Sequence, residues 1–349
     1  MEGTKVKIGD KVVGDGEPCF VIAEAGVNHD GDLSMAKRMI DAAKDAGVDA
    51  IKFQLFDPDK MVTPYAAKAG YQSDVEAETQ LEMLRKLKLT ENDVVELAKY
   101  AESKGLMFLC SAFDEESVDL LEEIGVPAYK IASSEITNHP LLEHVAAKRR
   151  PILLSTGMST INEVREALDV IQRRGNNQVI LLHCISEYPA SVESLNLKVI
   201  NLLRQTFKLP VGFSDHSLEV LAPAIAVALG ACVIEKHFTL SRSLKGPDHK
   251  ASLEPHELRE MVRLIRLTER MLGDGIKRVT HGEEQIKLLV RKSIVAKRDI
   301  PAGSLITRDM LAFKRPAIGL EPSKLQLLIG RKARRHIKRD EAITLNDVI

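Results

Sequence analysis

The sequence predicts an α/β chain: a (β/α)8, TIM-type barrel over residues 1–272, a linker over 273–289 and a small β-rich domain over 290–349. Three observations predict it. A unit of amphipathic helix, glycine or proline, short apolar strand and polar strand end recurs down the barrel segment. Its repeats supply the strands and helices of one closed barrel, which takes about 250 residues. After Leu272 the pattern lapses into a polar, glycine-marked stretch and then into short strand-like pieces and turns. No glycine-rich dinucleotide fingerprint follows the first strand, which argues against an open doubly wound sheet.

Taken in order, Lys5 to Cys19 reads as a hairpin turning at Gly14-Asp15-Gly16. Phe20-Val21-Ile22-Ala23 is the first buried strand and ends at Glu24. Asn28 to Asp32 supplies a loop and a helix N-cap, and Leu33, Ala36, Ile40, Ala43 and Ala46 follow at helical spacing until Gly47. The strand Ala50–Leu55 places Lys52 and Gln54 on one face. The run from Asp57 to Thr90 is too long for a plain connection and reads as a substrate-facing insertion. Further strands follow Gly105, Gly125, Pro151, Gly175, Pro210 and Gly230, with helices over Glu91–Ser103, Ile161–Arg173 and Pro255–Leu272 among those between and after them. In the tail, Ser293–Ala296 and Leu305-Ile306 read as strands around the turn Asp299–Gly303. A domain of about 60 residues is marginal alone and is expected to dock.

Composition narrows the function classes. Aromatics make up 4% of the 349 residues and Trp is absent, so the core is aliphatic. Residues 277–349 hold 17 Lys and Arg against 8 Asp and Glu, a net of +9, which leaves −10 on the preceding residues of a chain at −1 overall. Phe313 is the only aromatic in that basic tail, so base-stacking platforms are missing and nucleic acid is not an expected partner. An acidic body or an anionic ligand suits the tail better. Cys19, Cys110, Cys184 and Cys232 sit in apolar runs without metal-type spacing, as buried thiols of a reduced cytoplasmic protein would. The N-terminus leads into no apolar signal region and the run Val220–Leu229 is too short to span a bilayer, so a soluble protein without membrane partners is expected.

The chemistry gathers at strand ends. These are Glu24, Lys52, Ser111, Lys130 with Ser133 and Glu135, Ser155, Ser186, His216, and Glu235 with His237. In a barrel they converge on one mouth, the face where such folds carry their active sites. Two lysines and several serines suit an anionic ligand, most naturally a phosphate plus a carboxylate. The turn Ser155–Ser159 leads into the capping box Thr160–Glu163, whose helix start offers N–H groups to a phosphate. If the strands ending in His216 and His237 are parallel neighbours, about 4.8 Å apart, both imidazoles can point at one spot. With nearby carboxylates they would suit a divalent metal; the plainer reading is two unrelated histidines at polar strand ends. The run Glu235-Lys236-His237 would be costly to bury unpaired and is expected to face a polar cavity. The lysines also suit the Schiff base of a class I aldolase, against which the histidines favour a metal.

Seven motifs carry a family resemblance: Ile22 to His29, Ile51-Lys52-Phe53-Gln54, Tyr129 to Ser133, Leu154 to Met158, Gly212 to Ser217, Glu235-Lys236-His237-Phe238 and Lys314-Arg315-Pro316. Through them the whole chain resembles the sialic acid synthase (N-acetylneuraminate synthase) family, with the tail resembling that family's antifreeze-like (SAF) domain. The resemblance implies condensation of phosphoenolpyruvate with an N-acetylated hexosamine such as N-acetylmannosamine, giving a nine-carbon 2-keto acid and phosphate. N-Acetylneuraminate is the favoured product and N,N′-diacetyllegionaminate the close competitor. By motif, His216 and His237 are expected to hold Mn²⁺ or Mg²⁺ with Glu24 beside it. Glu24, Lys52, Lys130 and Glu235 would be catalytic. Lys52, Ser111 and Lys130 would bind the carboxylate end of phosphoenolpyruvate, and Ser133, Ser155, Ser186 and Ser214 its phosphate. Ser186 stands where some members carry asparagine. Gln54, Glu135, Tyr188, Glu235 and Asp248 resemble sugar-side positions, and Arg315 the arginine lent to the partner's site in a domain-swapped homodimer. Two other classes compete: an ice- or carbohydrate-binding protein with a decayed barrel, and a metal aldolase acting on free pyruvate.

Overall fold

The computed structural model describes residues 4–72, 77 and 79–349. They form two compact units that divide between Gly273 and Asp274. In the first, β1 (Lys5–Ile8) and β2 (Lys11–Gly14) pair as an antiparallel hairpin. Eight parallel strands then close into a barrel among the described residues: β3 (Phe20–Gly26), β4 (Ala50–Leu55), β5 (Met107–Ala112), β6 (Tyr129–Ile131), β7 (Ile152–Ser155), β8 (Val179–Cys184), β9 (Val211–Asp215) and β10 (Val233–His237). Closure is between β10 and β3, with Val233 opposite Phe20 and His237 opposite Glu24.

The strand period of two sorts the side chains into two cores. Val21, Ala23, Ile51, Phe53 and Ile234 pack outward against the helices. Phe20, Ile22, Ala50, Leu109, Leu153, Ile180 and Val233 fill the barrel interior, and Val6, Ile8 and Val13 of the hairpin join that inner cluster. Moving toward the C-terminal strand ends, the same inward positions become Glu24, Lys52, Gln54, Ser111, Lys130, Ser155, Glu235 and His237. The polar mouth is thus the continuation of the packed interior on the same faces of the same strands.

The helices follow their local signals. Asp32 caps Leu33–Ala46 through the N–H groups of Ser34 and Met35, and Gly47 ends that helix at φ +80°. Thr160 and Glu163 form the capping box of Ile161–Arg173, which buries Val164, Ala167, Leu168, Val170 and Ile171. The insertion after β4 folds into a short helix at Pro58–Met61 and a longer one at Gln80–Leu87. Among the described residues no helix is long and apolar enough to cross a membrane.

The second unit pairs β11 (Ser293–Ala296) with β12 (Leu311–Lys314). Isolated bridges such as Ile300 to Ile337 and Ala333 to Val348 complete it around Ile294, Ile300, Ile306, Leu311, Leu328, Ile337 and Ile343. The stretch expected to be a plain linker contains a helix, His281–Val290, started by a capping box between Thr280 and Glu283 and burying none of its residues.

Candidate active site

The barrel mouth encloses a cavity of about 440 Å³, within the usual range for small-molecule sites. At its floor four charged side chains lie together, all but removed from solvent. Glu24 and Lys52 are 2.6 Å apart, Lys52 and Glu235 3.8 Å, and Lys130 and Glu235 3.4 Å. Lys52 also donates to Ser111 Oγ at 2.8 Å, Gln54 donates to Glu24 at 2.9 Å and Ser214 donates to Glu235 at 2.9 Å.

Burial pushes the Glu24 carboxyl up to about 7, because the attraction of Lys52 only partly offsets desolvation and the charge of Glu235 adds to it. Burial also acts on Glu235, but Lys130 and Lys52 together overcome it and hold that carboxyl at about 2. Two carboxylates in one cavity are thereby pushed apart, Glu24 upward and Glu235 downward. Burial lowers the pKa of Lys130, while the surrounding carboxylates raise that of Lys52 despite its burial. Asp248 is raised to about 6 by its burial.

One wall is built of serines. Ser133, Ser155, Ser186 and Ser214 line it, and Ser155 Oγ is buried without a partner. The Gly157 N–H donates to Ser133 Oγ at 3.0 Å. A Cβ at Gly157 would fall 2.4 Å from Ser186 Oγ and 2.8 Å from Ser133 Oγ, so the wall closes only around a glycine. At the C-terminal ends of β9 and β10, His216 and His237 meet with ring centroids 5.2 Å apart, and Tyr188 stacks on His216 at 4.1 Å. His216 Nδ1 is held by the Ile185 carbonyl at 2.6 Å. His237 is driven well below the ordinary imidazole range by burial and by the repulsion of His216, and its Nδ1 has no hydrogen-bond partner.

Fourteen of the residues singled out in the sequence line this one cavity: Glu24, Lys52, Gln54, Ser111, Lys130, Ser133, Ser155, Ser186, Tyr188, Ser214, His216, Glu235, His237 and Asp248. Glu135 does not. The chain leaves β6 through a 3₁₀ turn at Ser133–Glu135, and the Glu135 carboxylate is taken by Asn138 at 2.8 Å and Ser134 at 2.9 Å. Arg315 belongs to the second unit, where it is exposed just beyond β12. Lys236 is a correction to the expectation that all three residues of its run face the cavity. It alternates away from Glu235 and His237, bonds Asp215 at 2.5 Å and the Ser217 carbonyl at 2.5 Å, and is fully buried with its partner.

Several contributors lacked a recognised signal. The insertion supplies Met61, Gln72, Gln80, Met83, Leu84 and Leu87 to the cavity. The loop carrying Asp248 is tied down from afar: His249 bonds Thr239 at 2.7 Å and Asp30 at 3.1 Å, and Asn28 bonds the Phe238 carbonyl at 2.9 Å and Ser252 at 2.8 Å. A larger groove of about 950 Å³ runs past Gly9, Lys44, Met107 and Pro127, near the N-terminal strand ends. Neither Ser155 nor His237, with their unpartnered buried polar atoms, lies in its lining, so the chemistry belongs to the smaller cavity.

Compared with known proteins, residues 39–277 match the NeuB family and residues 291–349 the SAF domain. The chain is 46% identical to an N,N′-diacetyllegionaminic acid synthase of Legionella pneumophila over 95% of both chains. It is 39% identical to the human N-acetylneuraminate-9-phosphate synthase over 95% of this chain and 93% of that one. Among solved structures, the N-acetylneuraminic acid (sialic acid) synthetase of Leptospira borgpetersenii in complex with citrate superposes with a TM-score of 0.74. That match has 34% identity and covers 81% of this chain and 95% of the other.

Proposed function

Because the chain belongs to the NeuB family and ends in a SAF domain, we propose that it condenses phosphoenolpyruvate with the open-chain aldehyde of a 2-acetamido hexose. The products are a nine-carbon 2-keto acid, a nonulosonate, and inorganic phosphate. The observation that carries this reading is the meeting of two buried lysines, two buried carboxylates and a wall of four serines, with Ser155 Oγ unpartnered, in one cavity.

In this reading Lys52, Ser111 and Lys130 hold the carboxylate of phosphoenolpyruvate, and Ser133, Ser155 and Ser186 receive its phosphate with hydroxyl donors, joined by Ser214 once its hydroxyl turns from Glu235. C3 of the enol attacks the aldehyde carbon, forming the new C–C bond. Glu24, titrating at about 7, gives a proton to the oxygen that becomes an alkoxide. Positive charge builds at C2, and the ionised Glu235 stabilises it. Water adds at C2 and returns one proton to the Glu24 carboxylate; as the tetrahedral carbon collapses to the ketone, the C–O bond to phosphate breaks and the phosphate leaves with the second proton. Gln54, Tyr188 and Asp248, which line the same cavity, would meet the acceptor.

The residues present fit a divalent ion such as Mn²⁺ or Mg²⁺. His216, whose Nδ1 is held by the Ile185 carbonyl and whose pKa the neighbouring Cys184 raises despite its burial, would offer Nε2 on giving up a proton to the ion, and neutral His237, with the Asp248 carboxylate 3.6 Å from its Nδ1, would give up none. No group of three or more His, Cys, Asp or Glu is placed to hold an ion among the described residues, so substrate and water oxygens would complete the set. When bound, the ion supplies a Lewis acid for the acceptor carbonyl.

The test is phosphate release from phosphoenolpyruvate with a 2-acetamido hexose, before and after chelation. Release that needs the sugar and is lost on chelation supports the reading. Turnover with pyruvate in place of phosphoenolpyruvate would make the protein an aldolase and overturn it.

A further inference from the structure

Between His237 and the helix Pro255–Leu272 the chain makes a loop that closes on itself. Phe238 and Leu253 bridge in parallel, with the Thr239 N–H donating to the Leu253 carbonyl at 2.9 Å and the Leu253 N–H to the His237 carbonyl at 3.0 Å. The loop so closed contributes Pro247 and Asp248 to the cavity lining and brings the Asp248 carboxylate to 3.6 Å from His237 Nδ1. Its regular structure is one 3₁₀ turn at His249–Ala251, so side chains must fix its course. His249 is fully buried and its ring bridges two loops: Nδ1 lies 2.7 Å from Thr239 Oγ1, and Nε2 donates to the Asp30 carboxylate at 3.1 Å. Asp30 belongs to the loop after β3 and holds a left-handed backbone at φ +52°. Gly246 packs on this contact, since a Cβ there would fall 2.5 Å from Asp30 Oδ1 and 2.7 Å from His249 Cδ2. A second tie grips Asp248 by its own carbonyl: the Ser252 hydroxyl donates to it at 2.6 Å and accepts from Asn28 Nδ2 at 2.8 Å.

The two loops joined by this clasp follow Glu24 and His237, which are register partners where the barrel closes. A non-glycine residue held left-handed is uncommon, and such strain persists where the surroundings over-determine it, most often at functional sites. Resting on the nonulosonate reading, we propose that Asp30 and His249 are positioning residues for the acceptor sugar. By locking the loop after β10 to the loop after β3, they set where the Asp248 carboxylate stands relative to Glu24 and His237. Neither Asp30 nor His249 lines the cavity, so both act through Asp248. The lysines and serines assigned to phosphoenolpyruvate come instead from β4 to β9 and the turns that follow them. Loosening the clasp therefore weakens the hold on one substrate and spares the other.

The experiment measures phosphate release by the full-length protein, varying phosphoenolpyruvate and the acceptor in turn. N-Acetylmannosamine and a 2,4-diacetamido-2,4,6-trideoxymannose are the acceptors tried. Asp30→Gly removes the carboxylate and suits the left-handed backbone, whereas Asp30→Asn keeps an oxygen that accepts from His249 Nε2. Asp30→Gly should raise the acceptor KM by about tenfold, as for a displaced contact, and leave the phosphoenolpyruvate KM within about twofold. Asp30→Asn should recover most of that loss. Thr239→Val loosens the other end of the clasp and should give the same split between the two substrates. In an Asp248→Asn background, Asp30→Gly should add less than about twofold, because the carboxylate it positions is already gone. Circular dichroism shows whether each variant is folded, and where Asp30→Gly is not, the Thr239→Val split decides. Both KM values rising together, Asp30→Asn behaving like Asp30→Gly, or a full further loss on top of Asp248→Asn would each overturn the proposal. An unaltered protein that releases no phosphate with either acceptor would instead remove the nonulosonate reading, and the proposal with it.

Discussion

Glu24 and Glu235 are equally buried, and what separates them is the number of cations each one faces. Lys52 reaches both, but Glu235 also has Lys130 within 3.4 Å and the Ser214 hydroxyl at 2.9 Å. Lys236, between two cavity residues in sequence, serves a different purpose: it holds Asp215 and the Ser217 and Glu219 carbonyls behind the segment that carries His216. Removing one partner of a fully buried pair leaves an uncompensated charge. Lys236→Met should therefore cost about 3–5 kcal/mol in urea unfolding, and adding Asp215→Leu should recover most of that. Equal losses in the single and double variants would show that the pair is not the source. His29 gives a pH dependence. It is 1% exposed, and burial lowers its pKa to about 4. As pH falls below about 6.5 the unfolded chain takes up a proton that the folded chain refuses until about pH 4. This group's contribution is thus complete above about pH 6.5 and is lost across that window, by up to about 3 kcal/mol. His29→Asn keeps an acceptor for the Gly31 N–H and removes the titration, so its stability should fall less between pH 7 and pH 4. An unchanged slope would exclude His29 as the source.

At the scale of elements, the site is a set of strand ends plus one loop and one insertion. Gly157 shows how tightly the loop is set. Gly157→Ala would drive Ser133 and Ser186 aside, so the KM for phosphoenolpyruvate should rise at least about tenfold while the acceptor KM is little changed. Steady-state kinetics with each substrate varied in turn checks this, and an unmoved phosphoenolpyruvate KM contradicts the serine wall as its site. The strand contributions were legible in sequence because a period of two carries straight from Phe20 and Ile22 to Glu24, and from Val233 to Glu235 and His237. The same parity turns Lys236 outward, which reading Glu235-Lys236-His237 as one cluster overlooked. Glu135 falls outside the cavity lining because it sits on a 3₁₀ turn, where strand alternation no longer sets the direction of its side chain. Met83, Leu84 and Leu87 sit at helical spacing and look like ordinary core, so their position in the cavity wall was hidden although the insertion itself stood out by length. The clasp of His249 on Asp30 spans 219 residues, a separation that no local pattern reports.

At the scale of the molecule, an acidic barrel-bearing chain segment is followed by a basic unit with its own apolar core. Within that unit Ser293 fixes the run after Arg315, donating to the Pro316 carbonyl at 2.7 Å and accepting from the Ile318 and Gly319 N–H groups at 2.9 Å. The proposal that Arg315 of one copy serves the acceptor bound by another predicts complementation. His237→Ala and Arg315→Ala chains, each inactive alone, should regain roughly a quarter of wild-type activity when refolded together into hybrid dimers. Hybrids that form and stay inactive would place Arg315 in the service of its own chain. The central claim, that the mouth of the barrel condenses phosphoenolpyruvate with C–O cleavage, is tested most directly by running the reaction in ¹⁸O-labelled water. Label found in the 2-keto acid at early times, with unlabelled phosphate, is the predicted result. Label in the phosphate would mean attack at phosphorus and would contradict the proposed roles of Glu24, Glu235 and the serine wall.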